Sequence, residues 1–266
     1  MLKVDVVALL PELSAELVGL LEGLSPVDWQ QPTSCPGWSV HALASHLLGV
    51  EVGNVSVRRD GWKLGPRPGE DPGDWLNTFN QQWVDAARRL SPALLVELIS
   101  LAARHFEDYV ATLDLGAIGA PVGWATGAEP APVRLDVARE YMERFVHQYQ
   151  LREATGRPRL PAHLTAPALQ TAAHCLPRAL AGLDRPIGSA LSFVAEGDGG
   201  GSWSVLRFGT GWELAQGVEI APLSEVRTTV DGALRLFVRD PGAPALRWAG
   251  DEELAHAVGG AKAVLG

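Results

Sequence analysis

Through roughly the first 160 residues, apolar side chains recur every three or four positions, the period of a helix that packs on one side. Ser39, Ser91 and Asp136 stand before three of these runs and are typical N-cap residues. Gly156 followed by Pro158 is a typical helix end. The first predicted helix ends at Leu24. The other four run from Ser39 to about Arg59, from Asp74 to Leu90, from Ser91 to about Leu113, and from Asp136 to about Gly156.

After about residue 160 the periodicity changes. Helical spacing persists over 164–183, but SALSFVAEGDGGGSWSVLRFGTGWELAQG alternates and is interrupted by glycines, which favours short strands and hairpins. SEVRTTVDGALRLFVRD predicts a strand that leads into a short helix, and DEELAHAVGGAKAVL predicts a terminal helix. The chain is therefore predicted to be mainly α, with a helical bundle over residues 1–158 and a smaller α+β domain over residues 159–266.

Composition narrows the class of protein. The 266 residues carry a formal net charge of −9 and the pI is near 5.3, which argues against a surface for nucleic acid or anionic membrane. No apolar run approaches the roughly 18 residues of a membrane span, and no signal-peptide pattern follows Met1. Cys35 and Cys175 are too few for a disulfide framework. We expect a cytoplasmic protein with reduced thiols that binds neither nucleic acid nor membrane.

Glu143 and His147 lie four residues apart on the last helix of the predicted bundle, so their side chains stack on one side of it. They project away from the centre of the apolar stripe. Two interpretations are open: half of a metal site, or a solvated Glu/His pair. Leu151 and Ala154 share this side of the helix, so a second domain or another helix is expected to cover it.

A third candidate ligand lies on the second predicted helix. His46 is at the edge of the apolar stripe, whereas His41 lies on the opposite side and is expected to face solvent. Gly49 and Gly53 flank His46 and are expected to leave room beside it. An inward metal ligand fits this placement, and so does a core histidine that is hydrogen-bonded to a neighbour.

Other candidates have a structural interpretation. Arg144 and Arg152 are suited to an anionic substrate, but we assign both to the solvated face of their helix. Cys35 and Cys175 have no Cys-x-x-Cys partner, and we interpret both as packing residues.

Two segments together carry a resemblance to a known family: CPGWSVHALASHLLG, residues 35–49, and ERFVHQYQLREATGRP, residues 143–158. They resemble the DinB-like superfamily and, within it, the mycothiol-dependent maleylpyruvate isomerase-type branch. The resemblance covers roughly residues 1–160 and implies a DinB-like four-helix bundle there. It also implies that His46, Glu143 and His147 are the metal ligands.

The implied ligand set, two imidazoles and one carboxylate, suits zinc and leaves a position for water or substrate. Nickel or iron fits the same ligands. The resemblance further implies that a low-molecular-weight thiol such as mycothiol binds the metal as a thiolate and attacks a small electrophile, in S-transfer or isomerisation. It names no catalytic residue beyond the metal ligands and no substrate-binding residue.

One position departs from the family pattern. Three residues after His147, the mycothiol branch usually has aspartate, whereas this chain has Gln150, which leaves the thiol open. A non-catalytic metal-binding or ligand-sensing protein on the same fold is the alternative function, since a fold does not fix an activity. A module that holds no metal is a third interpretation.

Overall fold

A computed structural model describes residues 4–215 and 220–263 of the chain. Its helices are α1 (Leu10–Glu22), α2 (Val40–Asn54), α3 (Pro72–Ala87), α4 (Pro92–Val110), α5 (Gly123–Thr126), α6 (Val133–Ala154), α7 (Ala162–Ala172), α8 (Leu176–Ala179), α9 (Val230–Phe237) and α10 (Glu252–Val258). Its strands are β1 (Ala190–Glu196), β2 (Gly201–Phe208), β3 (Gly211–Ala215), β4 (Ser224–Thr229) and β5 (Arg247–Gly250). Among the described residues, no helix combines the length and the apolar character that crossing a membrane requires.

The beginnings of α2 and α4 follow the predicted caps. Ser39 Oγ accepts a hydrogen bond from the backbone N–H of Ala42 at 3.3 Å. Ser91 Oγ accepts one from the backbone N–H of Leu94, also at 3.3 Å. Each bond satisfies a donor that the first helical turn leaves unpaired. The helix α2 continues as a π-helical turn over Val55–Arg59, so this helical segment ends where the sequence predicts.

The predicted cap of α6 is wrong. The helix begins at Val133, so Asp136 lies inside the first turn and is not the N-cap. A carboxylate in the first turn is favoured by the helix dipole, and Asp136 also accepts a hydrogen bond from Arg139 Nη2 at 3.0 Å. The predicted end is confirmed, because Gly156 follows α6 with a φ of 63°, a left-handed conformation that glycine adopts without steric cost.

The C-terminal part contains the predicted strands. They form a five-stranded sheet in the described chain with the order β3-β2-β1-β4-β5. Strands β1 and β4 are parallel and the other neighbours are antiparallel. Gly197 and Gly199 turn the chain between β1 and β2 with φ values of 119° and 79°. The prediction of a mainly α protein, with a helical N-terminal part and a smaller α+β C-terminal part, is confirmed.

Two helices of this part also match their predictions. Strand β4 leads directly into α9, whose first turn is capped by Thr229. The terminal helix α10 ends at Val258, before the end of the segment for which a helix is predicted. The predicted strand and terminal-helix segments also include Gln216, Gly217, Val264 and Leu265, which lie outside the described residues.

The chain divides into two compact units. One contains Met1–Val6, Asp114–Glu143 and Pro161–Gly266, and the other contains Val7–Leu113 and Arg144–Leu160. The helix α6 runs through both as one continuous element. The boundary at residue 158 between a bundle and an α+β domain stays a prediction.

The unit formed by Val7–Leu113 and Arg144–Leu160 has a helical core. It is built from apolar residues of α1, α2 and α4 together with Leu151 of α6, which is 0 % exposed. Ala154 is half-buried against the same core. Helices therefore cover the side of α6 that carries Leu151, as one of the two sequence-based alternatives expects.

Gly49 does not leave open space beside His46. A Cβ atom at Gly49 would lie 2.6 Å from Cδ1 of Trp83, so the indole of α3 occupies that volume. At Gly53, one turn further along α2, an added Cβ would meet nothing within 4 Å. The expected room is therefore filled at Gly49 and open at Gly53.

This contrast predicts opposite effects of the same substitution at two positions of one helix. Gly49→Ala should lower the free energy of unfolding by about 1–3 kcal/mol, because the indole of Trp83 has to move. Gly53→Ala should raise it by about 0.5–1 kcal/mol through helix propensity. Chemical denaturation of both variants measures the difference. Equal effects of the two substitutions would contradict the packing of Trp83 on Gly49.

Candidate metal centre

The structure brings together the three side chains predicted to bind metal. His46 lies on α2, and Glu143 and His147 lie one turn apart on the continuous helix α6. One ligand atom from each residue lies within 4.8 Å of the others. His46 and His147 are 5 % and 8 % exposed, and Glu143 is half-buried. The interpretation of Glu143 and His147 as a fully solvated pair is therefore wrong.

The two imidazoles contact each other, and His46 also contacts an indole. The rings of His46 and His147 meet edge to face, with centroids 4.9 Å apart and planes at 86°. The indole of Trp38 lies against His46 with a centroid distance of 4.9 Å. Trp38 Nε1 donates a hydrogen bond to Gln81 Oε1 at 2.9 Å, which fixes the indole in place. Trp38 thus shields one side of His46 from water.

Gln150 orients the ring of His147. Its Oε1 lies 2.7 Å from Nδ1 of His147 and also accepts a hydrogen bond from Cys35 Sγ at 3.2 Å. An amide oxygen accepts hydrogen bonds only, so in this arrangement the proton of His147 is on Nδ1. The lone pair of Nε2 is then the one available to a metal, the usual role of such an outer partner. Gln150, noted in the sequence only as a departure from the family, is therefore part of the site.

The donor set fits a divalent transition metal. Two imidazoles and one carboxylate are zinc ligands, and donor atoms that share one tetrahedral zinc ion at about 2.1 Å lie roughly 3.4 Å apart. In the structure the three ligand atoms lie at most 4.8 Å apart, so side-chain movements on the order of 1 Å would bring them to that spacing.

A permanent positive charge lies one helical turn before Glu143. The negative charge of Glu140 is the largest cause that raises the pKa of Arg139 above its usual range, and the charges of Asp136 and Glu143 contribute less. Arg139 therefore stays protonated and places a permanent positive charge near Glu143. An ionised carboxylate is the form that binds a metal.

Two arginines assigned to the solvated face are buried instead. Arg144 is 2 % exposed and pairs with Glu51 of α2. Arg152 is 8 % exposed, and its Nη2 lies 2.6 Å from Oε2 of Glu16 on α1. The assignment was wrong because each carboxylate comes from another helix, which the periodicity of α6 alone does not reveal. Glu51 is not among the residues that the sequence analysis singles out, although it is the one acidic residue in the apolar helix α2, a signal of a buried charge.

His41 also differs from its prediction. It is half-buried, and its Nε2 lies 3.1 Å from the backbone oxygen of Leu90. It is not part of the cluster formed by His46, Glu143 and His147.

The cysteines differ in environment. Burial raises the pKa of the Cys175 thiol to about 12, so it stays protonated at neutral pH and is a poor nucleophile. Cys35 is half-buried, and its hydrogen bond to Gln150 places it beside the site.

Comparison with known proteins identifies the family. The model of the mycothiol maleylpyruvate isomerase N-terminal domain matches residues 10–152, more than half of the chain. Two crystal structures are similar in fold, one of the mycothiol-dependent maleylpyruvate isomerase and one of a mutant of it with a histidine replaced by alanine. Their sequence identities are 12 % and 11 %, and each has a TM-score of 0.57 over 91 % of both chains. No curated protein matches the sequence.

The resemblance seen in the segments at 35–49 and 143–158 is thus confirmed. The first segment lies wholly within the matched residues, and the second lies within them as far as residue 152. At these identities the crystal structures establish a shared fold and nothing finer. The chain belongs to the mycothiol maleylpyruvate isomerase N-terminal domain family.

Proposed function

We propose that the protein is a metal-dependent enzyme that activates a low-molecular-weight thiol, mycothiol or a close analogue, for S-transfer to a small electrophile or for its isomerisation. The observation that carries this proposal is the convergence of His46, Glu143 and His147 within 4.8 Å. Zinc is the metal that suits these donors, and nickel or iron fits them as well. Membership of the family supports the thiol-dependent reaction.

Each ligand has a role set by its surroundings. His46 and Glu143 would contribute one neutral and one anionic donor, and His147 would bind through Nε2 because Gln150 accepts a hydrogen bond from Nδ1. When bound, a zinc ion supplies the positive charge that stabilises a thiolate, the nucleophilic form of a thiol. Trp38 and the buried imidazoles exclude water from one side of the site, which strengthens that stabilisation. No protein side chain is needed as the nucleophile.

The alternative function is a non-catalytic metal-binding or ligand-sensing protein on the same fold. Such a protein would have the same metal site as the proposed enzyme but would not activate a thiol. Metal binding and thiol binding therefore have to be measured separately. The proposed enzyme acts in the cytoplasm on small molecules. The net charge of −9 argues against a surface for nucleic acid or anionic membrane.

Removal of one ligand should abolish stoichiometric metal binding. The wild-type protein, purified without a His-tag, should contain about one divalent metal ion per chain, and His147→Ala should contain almost none, because the two ligands that remain hold a divalent ion much more weakly than three. His41→Ala is the matched control, since it removes a histidine of α2 that lies outside the cluster. Elemental analysis after dialysis measures all three. Equal metal content in the wild type and in His147→Ala would contradict the ligand assignment.

Thiol binding should be visible in the cobalt-substituted protein. A thiolate that binds cobalt gives a near-ultraviolet charge-transfer band that a water ligand does not give. Because Cys35 lies beside the site, the titration uses the Cys35→Ser variant, in which any such band comes from added thiol. Mycothiol, glutathione, bacillithiol and cysteine are titrated in parallel, and the band should appear at the lowest concentration with mycothiol.

The outcomes of this titration separate the two functions. A band with none of the four thiols would contradict thiol activation and leave the metal-binding alternative. A band at lowest concentration with another thiol would retain the mechanism and contradict mycothiol as the cosubstrate. Gln150, which replaces the aspartate usual in the mycothiol branch, makes this comparison necessary.

A further inference from the structure

A second pair of charged side chains connects the helices that carry the proposed ligands. Arg144 of α6 donates from Nε to Glu51 Oε1 and from Nη2 to Glu51 Oε2, so the guanidinium and the carboxylate of α2 are joined by two bonds. Their side chains are 2 % and 3 % exposed. The guanidinium carbon also lies 4.5 Å from the ring centroid of Phe106 on α4. The pair is therefore embedded in the helical core.

Stability alone is a weak reason for such a pair. Removing two charges from water is costly, and apolar side chains of similar volume often stabilise a core equally well. The pair also carries an uncompensated desolvation cost, because Nη1 of Arg144 is buried and has no hydrogen-bond partner among the described residues. What an apolar pair does not provide is direction: two parallel hydrogen bonds fix both the distance and the relative orientation of their groups.

The pair is aligned with the proposed metal site along one helix seam. His46 of α2 contacts His147 of α6, and Glu51, five residues later on α2, contacts Arg144, three residues earlier on α6. The two helices are therefore antiparallel along this seam, and the two contacts are successive cross-links between them. One residue of slippage shifts a helix by about 1.5 Å, which would break both bonds between Glu51 and Arg144.

We propose that Glu51 and Arg144 are a positioning pair that holds α2 and α6 in the register at which His46 meets Glu143 and His147. The leucine and alanine contacts of the core tolerate small shifts, because apolar packing is not directional. The consequence for metal affinity rests on the proposed function, whereas the register of the two helices does not depend on any metal.

The test replaces the charged pair by apolar side chains in the double variant Glu51→Leu/Arg144→Met. The matched control is Glu16→Leu/Arg152→Met, which removes the ion pair between α1 and the same helix α6. Zinc affinity, measured by competition with a chelator, should fall about 10–100-fold in the first variant, the effect typical of groups that orient metal ligands. It should stay within about threefold of the wild type in the control, although Arg152 is similarly buried.

The register of α2 and α6 can also be measured directly in the absence of metal. In the apoprotein, the ring protons of His46 and His147 should show a nuclear Overhauser effect, since their centroids are 4.9 Å apart. The effect should be lost in Glu51→Leu/Arg144→Met and retained in the control. If the wild type binds no metal, the proposed function fails, and this measurement alone decides the register.

Retention of the Overhauser effect together with unchanged zinc affinity, in a folded double variant, would overturn the proposal. If that variant does not fold, Arg144→Lys replaces it, because lysine keeps the buried charge but cannot form two parallel bonds. This variant should also lose the ring contact and bind zinc about tenfold more weakly. Wild-type behaviour of folded Arg144→Lys in both measurements would overturn the proposal equally.

Discussion

The burial of charged and polar side chains between α2 and α6 is the constraint on which the candidate site depends. An ionisable group in a protein core is tolerated only where a partner compensates for the water it has lost. Along this seam Glu51 is matched by Arg144, and His147 is matched by Gln150. The contact between His147 and Gln150 lies within α6 and orients the imidazole, whereas the two bonds between Glu51 and Arg144 join α6 to α2. In the positioning role proposed for that pair, these bonds hold the two helices in the arrangement in which the ligand atoms of His46, Glu143 and His147 lie within 4.8 Å.

The surroundings of the site reinforce this restriction by close packing. The indole of Trp83 lies against Gly49, so α2 and α3 approach closely beside the ligand helix. The indole of Trp38 lies on His46 and is held by its own hydrogen bond. The indole of Trp38 is thereby held against His46 before any ligand binds. Such preorganisation would lower the cost of binding the proposed metal.

Local features of the sequence predicted those parts of the structure that depend on local chemistry. The caps at Ser39 and Ser91 and the end at Gly156 follow from hydrogen bonding and backbone preference within a few residues. The prediction that Glu143 and His147 lie on the same side of one helix likewise depends only on helix geometry. The pairing of Glu51 with Arg144 could not be predicted, because it joins positions that are far apart in the sequence and depends on how two helices meet. The prediction of open space beside Gly49 is wrong for the same reason, because the indole that fills this space comes from another helix.

The proposed binding of one metal ion by His46, Glu143 and His147 is open to a direct test by diffraction at the zinc absorption edge. Crystals of the zinc-loaded protein should give an anomalous peak at about 2.0–2.2 Å from one atom of each of the three residues. The fourth position should be filled by a group that does not come from the protein. A well-ordered site with no peak between α2 and α6, or with a peak bonded to other residues, would contradict the claim.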